Sequence, residues 1–161
     1  MKTRIQILNE IKTIEKTGGV YKWYISQEGA NQLGLPTEGC TEKYGFKLVY
    51  IGLSKDLRMR LKWHCDDKHR NSSIKSGTLS VLRQKINTLI NNRWDSKELV
   101  DRFMDDYMRI EFEYTDKYEE VELEMIQSHT LPLNARNNPH PFRKELSKRN
   151  GQAKRNTLKI K

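Results

Sequence analysis

Gly19-Val20-Tyr21-Lys22-Trp23-Tyr24-Ile25 is answered, after a connection containing glycine and proline, by Leu48-Val49-Tyr50-Ile51-Gly52. Both are short runs of β-branched and aromatic residues bordered by glycine, a composition that suits a pleated, half-buried surface. They predict two strands, Val20 to Ile25 and Leu48 to Ile51, paired as an antiparallel hairpin across a long loop from Gln27 to Gly45. A third strand is expected where Met108, Ile110, Phe112 and Tyr114 alternate with Arg109, Glu111 and Glu113, the two-residue period of a half-buried strand.

Helices are expected around these strands. Ile7, Leu8, Ile11 and Ile14 fall at helical spacing in an N-terminal helix over 1–17, ended by Gly18-Gly19. A helix is predicted from Lys55, with Ser54 as its N-cap and with Leu57, Leu61 and His64 near one face. Arg60 and His64 are then one turn apart, so their side chains can converge. The polar stretch from Asp66 to Gly77 reads as a loop or irregular arm. Leu79, Leu82, Ile86, Leu89 and Ile90 form an apolar stripe, and Leu99, Val100 and Phe103 another, so that 65–107 reads as a helical insertion. Val121, Leu123, Met125 and Ile126 mark a further helix to about Thr130, stopped by the extended preference ahead of Pro132. A turn-rich piece, Asn137-Asn138-Pro139-His140-Pro141, precedes a short helix around Phe142 to Leu146. The basic tail over 143–161 has few apolar residues, a composition expected to be disordered when free.

With 161 residues, 35% of them hydrophobic, the chain fits a single domain over 1–161 that can bury a core without disulfides. Its formal net charge of +9, from 30 Lys+Arg against 21 Asp+Glu, favours a polyanionic partner through phosphate neutralisation. Cys40 and Cys65 fit neither a disulfide framework nor a Cys-x-x-Cys metal pattern, and His64, Cys65 and His69 lack zinc-ligand spacing. No apolar stretch reaches membrane-spanning length and the start Met1-Lys2-Thr3-Arg4 is unlike a signal peptide, so a cytoplasmic protein without a membrane partner is expected. Trp23, Trp63 and Trp94 read as core residues rather than base-stacking platforms.

The two tyrosine runs are followed in order by Lys55-Asp56-Leu57-Arg58-Met59-Arg60-Leu61-Lys62-Trp63-His64, then Glu122-Leu123-Glu124-Met125-Ile126, then Leu131-Pro132-Leu133-Asn134. Together these blocks resemble the GIY-YIG nuclease superfamily, from Gly19 to Asn134, with the tyrosine runs as its paired signature. The resemblance implies that Glu122 binds one divalent cation, that Arg60 faces the scissile phosphate, and that Tyr21, Tyr50 and His64 surround the attacking water or the phosphate oxygens. Glu122 is preferred to Glu120 and Glu124 because similar proteins keep Ile126 one helical turn later and Asn134 closing the segment. One carboxylate suits one Mg²⁺ per active site, with Mn²⁺ as an alternative, since a two-metal cluster needs more acidic ligands. The general base is either Tyr21 or His64, and the sequence does not choose between them. An unperturbed phenol, with a pKa near 10, needs a nearby cation or metal-bound water to act at neutral pH.

Arg60 suits transition-state charge because guanidinium offers two parallel donors. Gly19 and Gly52 are structural members of the motif, Gly52 permitting close backbone approach, and Asn134 is expected to fix the site through side-chain hydrogen bonds. Arg58, Lys62, Lys68, Arg70 and Lys75 are candidates for DNA backbone contacts, and Arg70, Asn71, Gln84, Asn87 and Asn91 for base-edge readout. Some relatives carry lysine where Leu53 stands here, leaving Lys55 as the possible substitute. The expected fold is α/β: a small, mainly antiparallel three-stranded sheet flanked by helices. The expected activity is metal-dependent endonucleolytic hydrolysis of double-stranded DNA, most like the stand-alone type II restriction enzymes, which for a palindromic target would call for a homodimer or larger assembly. Two other readings are a structure-selective or repair nuclease and a non-catalytic nucleic-acid-binding module.

Overall fold

In the computed structural model, which describes residues 1–135 and 138–159, the two tyrosine runs form the middle of one antiparallel sheet. The first run is β1 (Gly19–Ser26), followed by β2 (Glu42–Lys43), β3 (Phe46–Ser54, the second run) and β4 (Met108–Tyr114), in the order β2-β3-β1-β4. The sheet therefore has four strands where three were expected. β2 is a two-residue exposed strand whose Glu42 and Lys43 carry no strand-like signal; only its pairing to Lys47 and Phe46 makes it one. The expected long loop also holds α2 (Gln27–Leu33), capped by Ser26 and ended by Gly34 in the left-handed conformation.

The register of β1 against β3 contains one irregularity, and it positions the site. Trp23 faces Tyr50 and Tyr24 faces Leu48, so Val49 is an extra residue on β3, a β-bulge. In an unbroken strand Leu48 and Tyr50 would share a face. Here Leu48 and Ile51 pack with Tyr24 on one side of the sheet, while Tyr50 packs with Tyr21 and Trp23 on the other. The bulge thus turns Tyr50 onto the side of Tyr21.

The helices divide between the two sides. The main core joins Tyr21, Trp23 and Ile25 of β1 and Ile110 of β4 to Ile7 of α1 (Arg4–Asn9), Leu57 and Leu61 of α3 (Leu57–Asp66), Leu82 and Ile86 of α5 (Val81–Asn91), and Val100 and Met104 of α6 (Lys97–Tyr107). Each such side chain, nearly or fully removed from water, contributes roughly 1.5–3 kcal/mol. Across the sheet, Ile126 of α7 (Tyr118–Ser128) packs on Tyr24, Leu48, Ile51 and Leu131. The N-terminal helix is shorter than expected, ending at Asn9 before a 3-10 turn over Ile11–Thr13.

Three further expectations are corrected. The N-cap of α3 is Asp56, whose side chain accepts from Met59 N at 3.0 Å, while the Ser54 hydroxyl instead brackets the Asp56 backbone one turn earlier. The polar arm contains α4 (Asn71–Ser76), held by buried Ile74. The basic tail is an 18-residue helix, α8 (Phe142–Lys159), because Phe142, Leu146, Ala153 and Thr157 line up along one buried stripe. Ala153 packs with Ile74, Leu79 and Trp94, and Thr157 Oγ1 accepts from Trp94 N at 2.9 Å. Asn137 of the expected turn and Lys161 of the expected tail lie outside the described residues. Cys40 and Cys65 are free and buried, and among the described residues no helix is long and apolar enough to cross a membrane.

Candidate active site

Where β3 runs beyond β2, its edge opens into a cleft of about 260 Å³. Tyr21, Tyr50, Gly52, Arg60, Glu122 and Asn134 line it, so five side chains and one glycine from distant stretches of sequence meet in one place. The two phenol rings lie 6.3 Å apart between centroids. Gly52 sits opposite Tyr21 in the strand pairing, and any Cβ there would collide with the Tyr21 hydroxyl and ring; its absence is what admits the phenol. Gly19 has a different task, since a side chain there would strike the Glu113 carbonyl and Leu57, so it lets β1 pack between β4 and α3.

His64 is fully buried behind Tyr21 and does not line the cleft. Its Nε2 is 2.7 Å from Tyr21 Oη, and its Nδ1 is 2.7 Å from Ser80 Oγ. Ser80, the N-cap of α5, is held in turn by Asp67, whose carboxylate accepts from Ser80 N at 2.8 Å. Burial, then the positive charges of Arg60, Arg83 and Lys85, push the imidazole well below its ordinary pKa, so the ring is neutral at pH 7. A neutral imidazole donates from one nitrogen only. A proton arriving at Nε2 from Tyr21 would therefore meet a ring whose Nδ1–H donates to Ser80.

Burial also drives the Tyr21 phenol well above its ordinary pKa; Tyr50 adds to the rise, Arg60 opposes it by charge and hydrogen bonding, and Glu122 adds a smaller upward push. Tyr50 is pushed up to about 12, first by burial, with Arg60 and Tyr21 opposing. Arg60 stacks on Trp63 with its guanidinium carbon 5.0 Å from the ring centroid, which restricts the long side chain without occupying its donors. Asn134 clamps the strand: its Nδ2 donates to Ile51 O at 2.7 Å and its Oδ1 accepts from Ile51 N at 2.9 Å, occupying the Ile51 backbone as a neighbouring strand would.

Two residues of this neighbourhood carry no sequence signal, Ser80 and Lys85. Both come from the helical insertion, Ser80 readable only as a helix cap and Lys85 only as one lysine among many. Lys85 is buried, lines the cleft, lies 5.6 Å from the Tyr50 ring centroid and donates to the Leu133 carbonyl. Burial lowers its pKa from 10.5 to about 8. Lys55, by contrast, is exposed and outside the cleft, so it does not stand in for a lysine at Leu53.

The expected DNA-contact residues divide. Lys62, Arg70 and Lys75 are exposed, and exposed Lys68 pairs with Asp66 at 3.0 Å. Arg58 is instead committed to the chain, its guanidinium donating to the Ile14 and Lys12 carbonyls at 2.6 and 2.8 Å. Of the base-readout candidates, Arg70 and Asn71 are exposed, Asn91 donates to Ser96, and Gln84 and Asn87 are buried. Those last two cannot reach a groove: α5 packs against α2, α6 and α8, and both of these side chains are buried in that packing. Trp23 and Trp94 are core residues as expected, whereas Trp63 is half-buried over Arg60.

Among the described residues no group of three or more His, Cys, Asp or Glu side chains is placed to hold a metal ion, and His69 accepts from Arg83 Nε at 3.0 Å and contacts the Trp94 carbonyl. Glu122 is the carboxylate that lines the cleft. One hard oxygen ligand fits a cation that keeps most of its waters and completes its shell on a substrate phosphate. The family model for the GIY-YIG catalytic domain matches residues 19–156 of the chain. No curated protein and no solved structure matches it.

Proposed function

The chain belongs to the GIY-YIG catalytic domain family, a nuclease domain, and on that premise we propose that it is a divalent-metal-dependent endonuclease of double-stranded DNA. The observation that carries the proposal is the meeting of Tyr21, Tyr50, Arg60 and Glu122 on one cleft with His64 hydrogen-bonded behind Tyr21. Phosphodiester hydrolysis needs a deprotonated water, compensation for charge building on the phosphoryl oxygens, and a stabilised leaving oxygen. Arg60 supplies paired donors to the non-bridging oxygens. Glu122 would hold one Mg²⁺ or Mn²⁺, which when bound neutralises developing negative charge at the phosphate and leaving oxygen.

Tyr21 rather than His64 meets the water, because Tyr21 lines the cleft and His64 is sealed behind it. Burial opposes a free tyrosinate, so Tyr21 Oη takes the water's proton only as its own phenolic proton moves to His64 Nε2, with His64 Nδ1–H donating to Ser80 Oγ; burial and the charges of Arg60, Arg83 and Lys85 oppose a standing imidazolium too, which confines this transfer to the transition state. Tyr50 and Asn134 hold the cleft in shape, Tyr50 beside the Tyr21 ring and Asn134 on the backbone of Ile51.

Within the family, a site-specific type II restriction enzyme, acting as a homodimer on a palindromic site, is the reading favoured by Arg60 and His64 one helical turn apart followed by Glu122 and Asn134. The test is cleavage of long, mixed-sequence DNA by the purified protein with Mg²⁺ or Mn²⁺, followed by sequencing of the ends. Discrete fragments with one recurring junction support a restriction enzyme; heterogeneous ends or preference for branched DNA point to a structure-selective or repair nuclease. Arg60→Ala and Glu122→Ala are expected to lose at least ~100-fold in cleavage while retaining DNA binding. Wild-type protein that binds DNA but cuts none of these substrates with either metal would overturn the enzymatic reading in favour of a binding module.

A further inference from the structure

The catalytic cleft shares a wall with a larger cavity. Val81, Lys85, Asn134 and Ala135 line both, and beyond them the second cavity continues as a groove of about 600 Å³ between α5 and α8. Its far side is strongly basic: Arg143, Lys144 and Lys148 of α8 border it, all exposed. These are the residues that would trail in solvent were the C-terminal segment an unfolded tail. Packing of Phe142 and Leu146 into the main core fixes them beside the groove.

Lys85 stands at the junction. Its ammonium is buried, donates to the Leu133 carbonyl, and among the described residues makes no ion pair with a carboxylate. Holding a cation out of water without a counter-ion is costly, and a phosphate entering beside it would supply the missing charge. The space on either side of Lys85 leads to Arg60 and Glu122 in one direction and to Lys144 and Lys148 in the other. A chain of regularly spaced anions passing through both cavities would meet Arg60 in the cleft, Lys85 at the junction and Arg143, Lys144 and Lys148 beyond it, with Glu122 the one carboxylate among the described residues lining that path.

We propose that the groove between α5 and α8 holds the DNA strand next to the cut, with Lys85 binding a backbone phosphate where the groove joins the catalytic cleft and Arg143, Lys144 and Lys148 following the phosphates beyond it. This rests on the nuclease reading above and extends it by naming the path of the strand. Recognition along this path is of backbone charge, not of bases, so it positions the scissile phosphate without contributing sequence preference.

The test uses the full chain and a duplex carrying a mapped cut site, with binding followed by fluorescence anisotropy in Ca²⁺ across a salt series. Lys144→Gln/Lys148→Gln is chosen because both side chains are exposed and the fold does not depend on them. Removing one lysine–phosphate pairing should lower the slope of log affinity against log salt by about 0.9, so the double variant should flatten it by nearly two and weaken binding on the order of tenfold. Arg102→Gln, on α6 in a separate hollow, should bind as wild type. Neutral methylphosphonates at the phosphates flanking the cut should weaken wild-type binding severalfold, and should weaken Lys85→Gln/Lys144→Gln/Lys148→Gln no further. Wild-type cleavage together with unchanged affinity and salt slope in the double variant overturns the groove alone. A wild-type protein that neither binds nor cuts DNA overturns the groove and the nuclease reading together.

Discussion

Lys85 lines the cleft at a cost to the stability of the fold. In the unfolded chain its ammonium titrates near 10.5, and in the folded protein near 8. Below about pH 8 both states hold the proton and the folded state carries the full desolvation penalty. Between about 8 and 10.5 the folded state binds fewer protons than the unfolded, so stability rises with pH over that window. Lys85→Met removes this dependence. The gap in Tm, wild type minus variant, should therefore widen in favour of wild type as pH is raised from 8 toward 10.5; a gap independent of pH would mean the lysine is not held charged against its surroundings. Tyr21, Tyr50, Arg60, Glu122 and Asn134 were legible in the sequence as members of ordered blocks, and they line one cleft. Ser80 and Lys85 were not, because neither belongs to a block: one is read only as a cap and the other only as a lysine until the insertion folds back over the site.

Among the elements, β3 depends on partners that sequence patterning does not reveal. Its open edge is finished by the Asn134 side chain and by Leu133 N, which donates to Val49 O at 3.1 Å. Asn134→Ala leaves the Ile51 N–H and C=O, both buried, without that partner and is expected to cost about 1–3 kcal/mol in chemical denaturation. Cleavage should fall further than the loss of folded protein explains, since the same bonds fix the wall shared by cleft and groove. The three long strands were readable from alternation and β-branched content. Helix α8 was not, because its buried stripe is finished by Ala153 and Thr157, small residues that hydropathy scarcely marks; only the pocket left by Ile74, Leu79 and Trp94 gives Ala153 its value.

For the molecule as a whole, the helical insertion is part of the core and not an appendage to it. Arg83, fully buried, donates to the carbonyls of His64 and Cys65 on α3, to His69, and to Asp101 on α6 at 2.5 Å, while Arg4 of α1 reaches Asp105 at 2.8 Å. Leu82, Ile86, Val100 and Met104 join the same core as β1. Sheet and insertion should accordingly unfold together, giving one calorimetric transition with equal calorimetric and van't Hoff enthalpies. Two separated transitions would show that the insertion is an independent unit.

The surplus residue at Val49 has a consequence for how this protein tolerates change. The two phenols are kept on one side by a count along the chain, not by the identity of any residue between them. The connection from Gln27 to Gly45 can gain or lose residues and leave that count untouched, whereas dropping a single residue between Leu48 and Tyr50 would swing one hydroxyl to the opposite side of the sheet. Substitution scanning, which preserves length, would pass over the feature entirely; only changes of length inside the strand expose it.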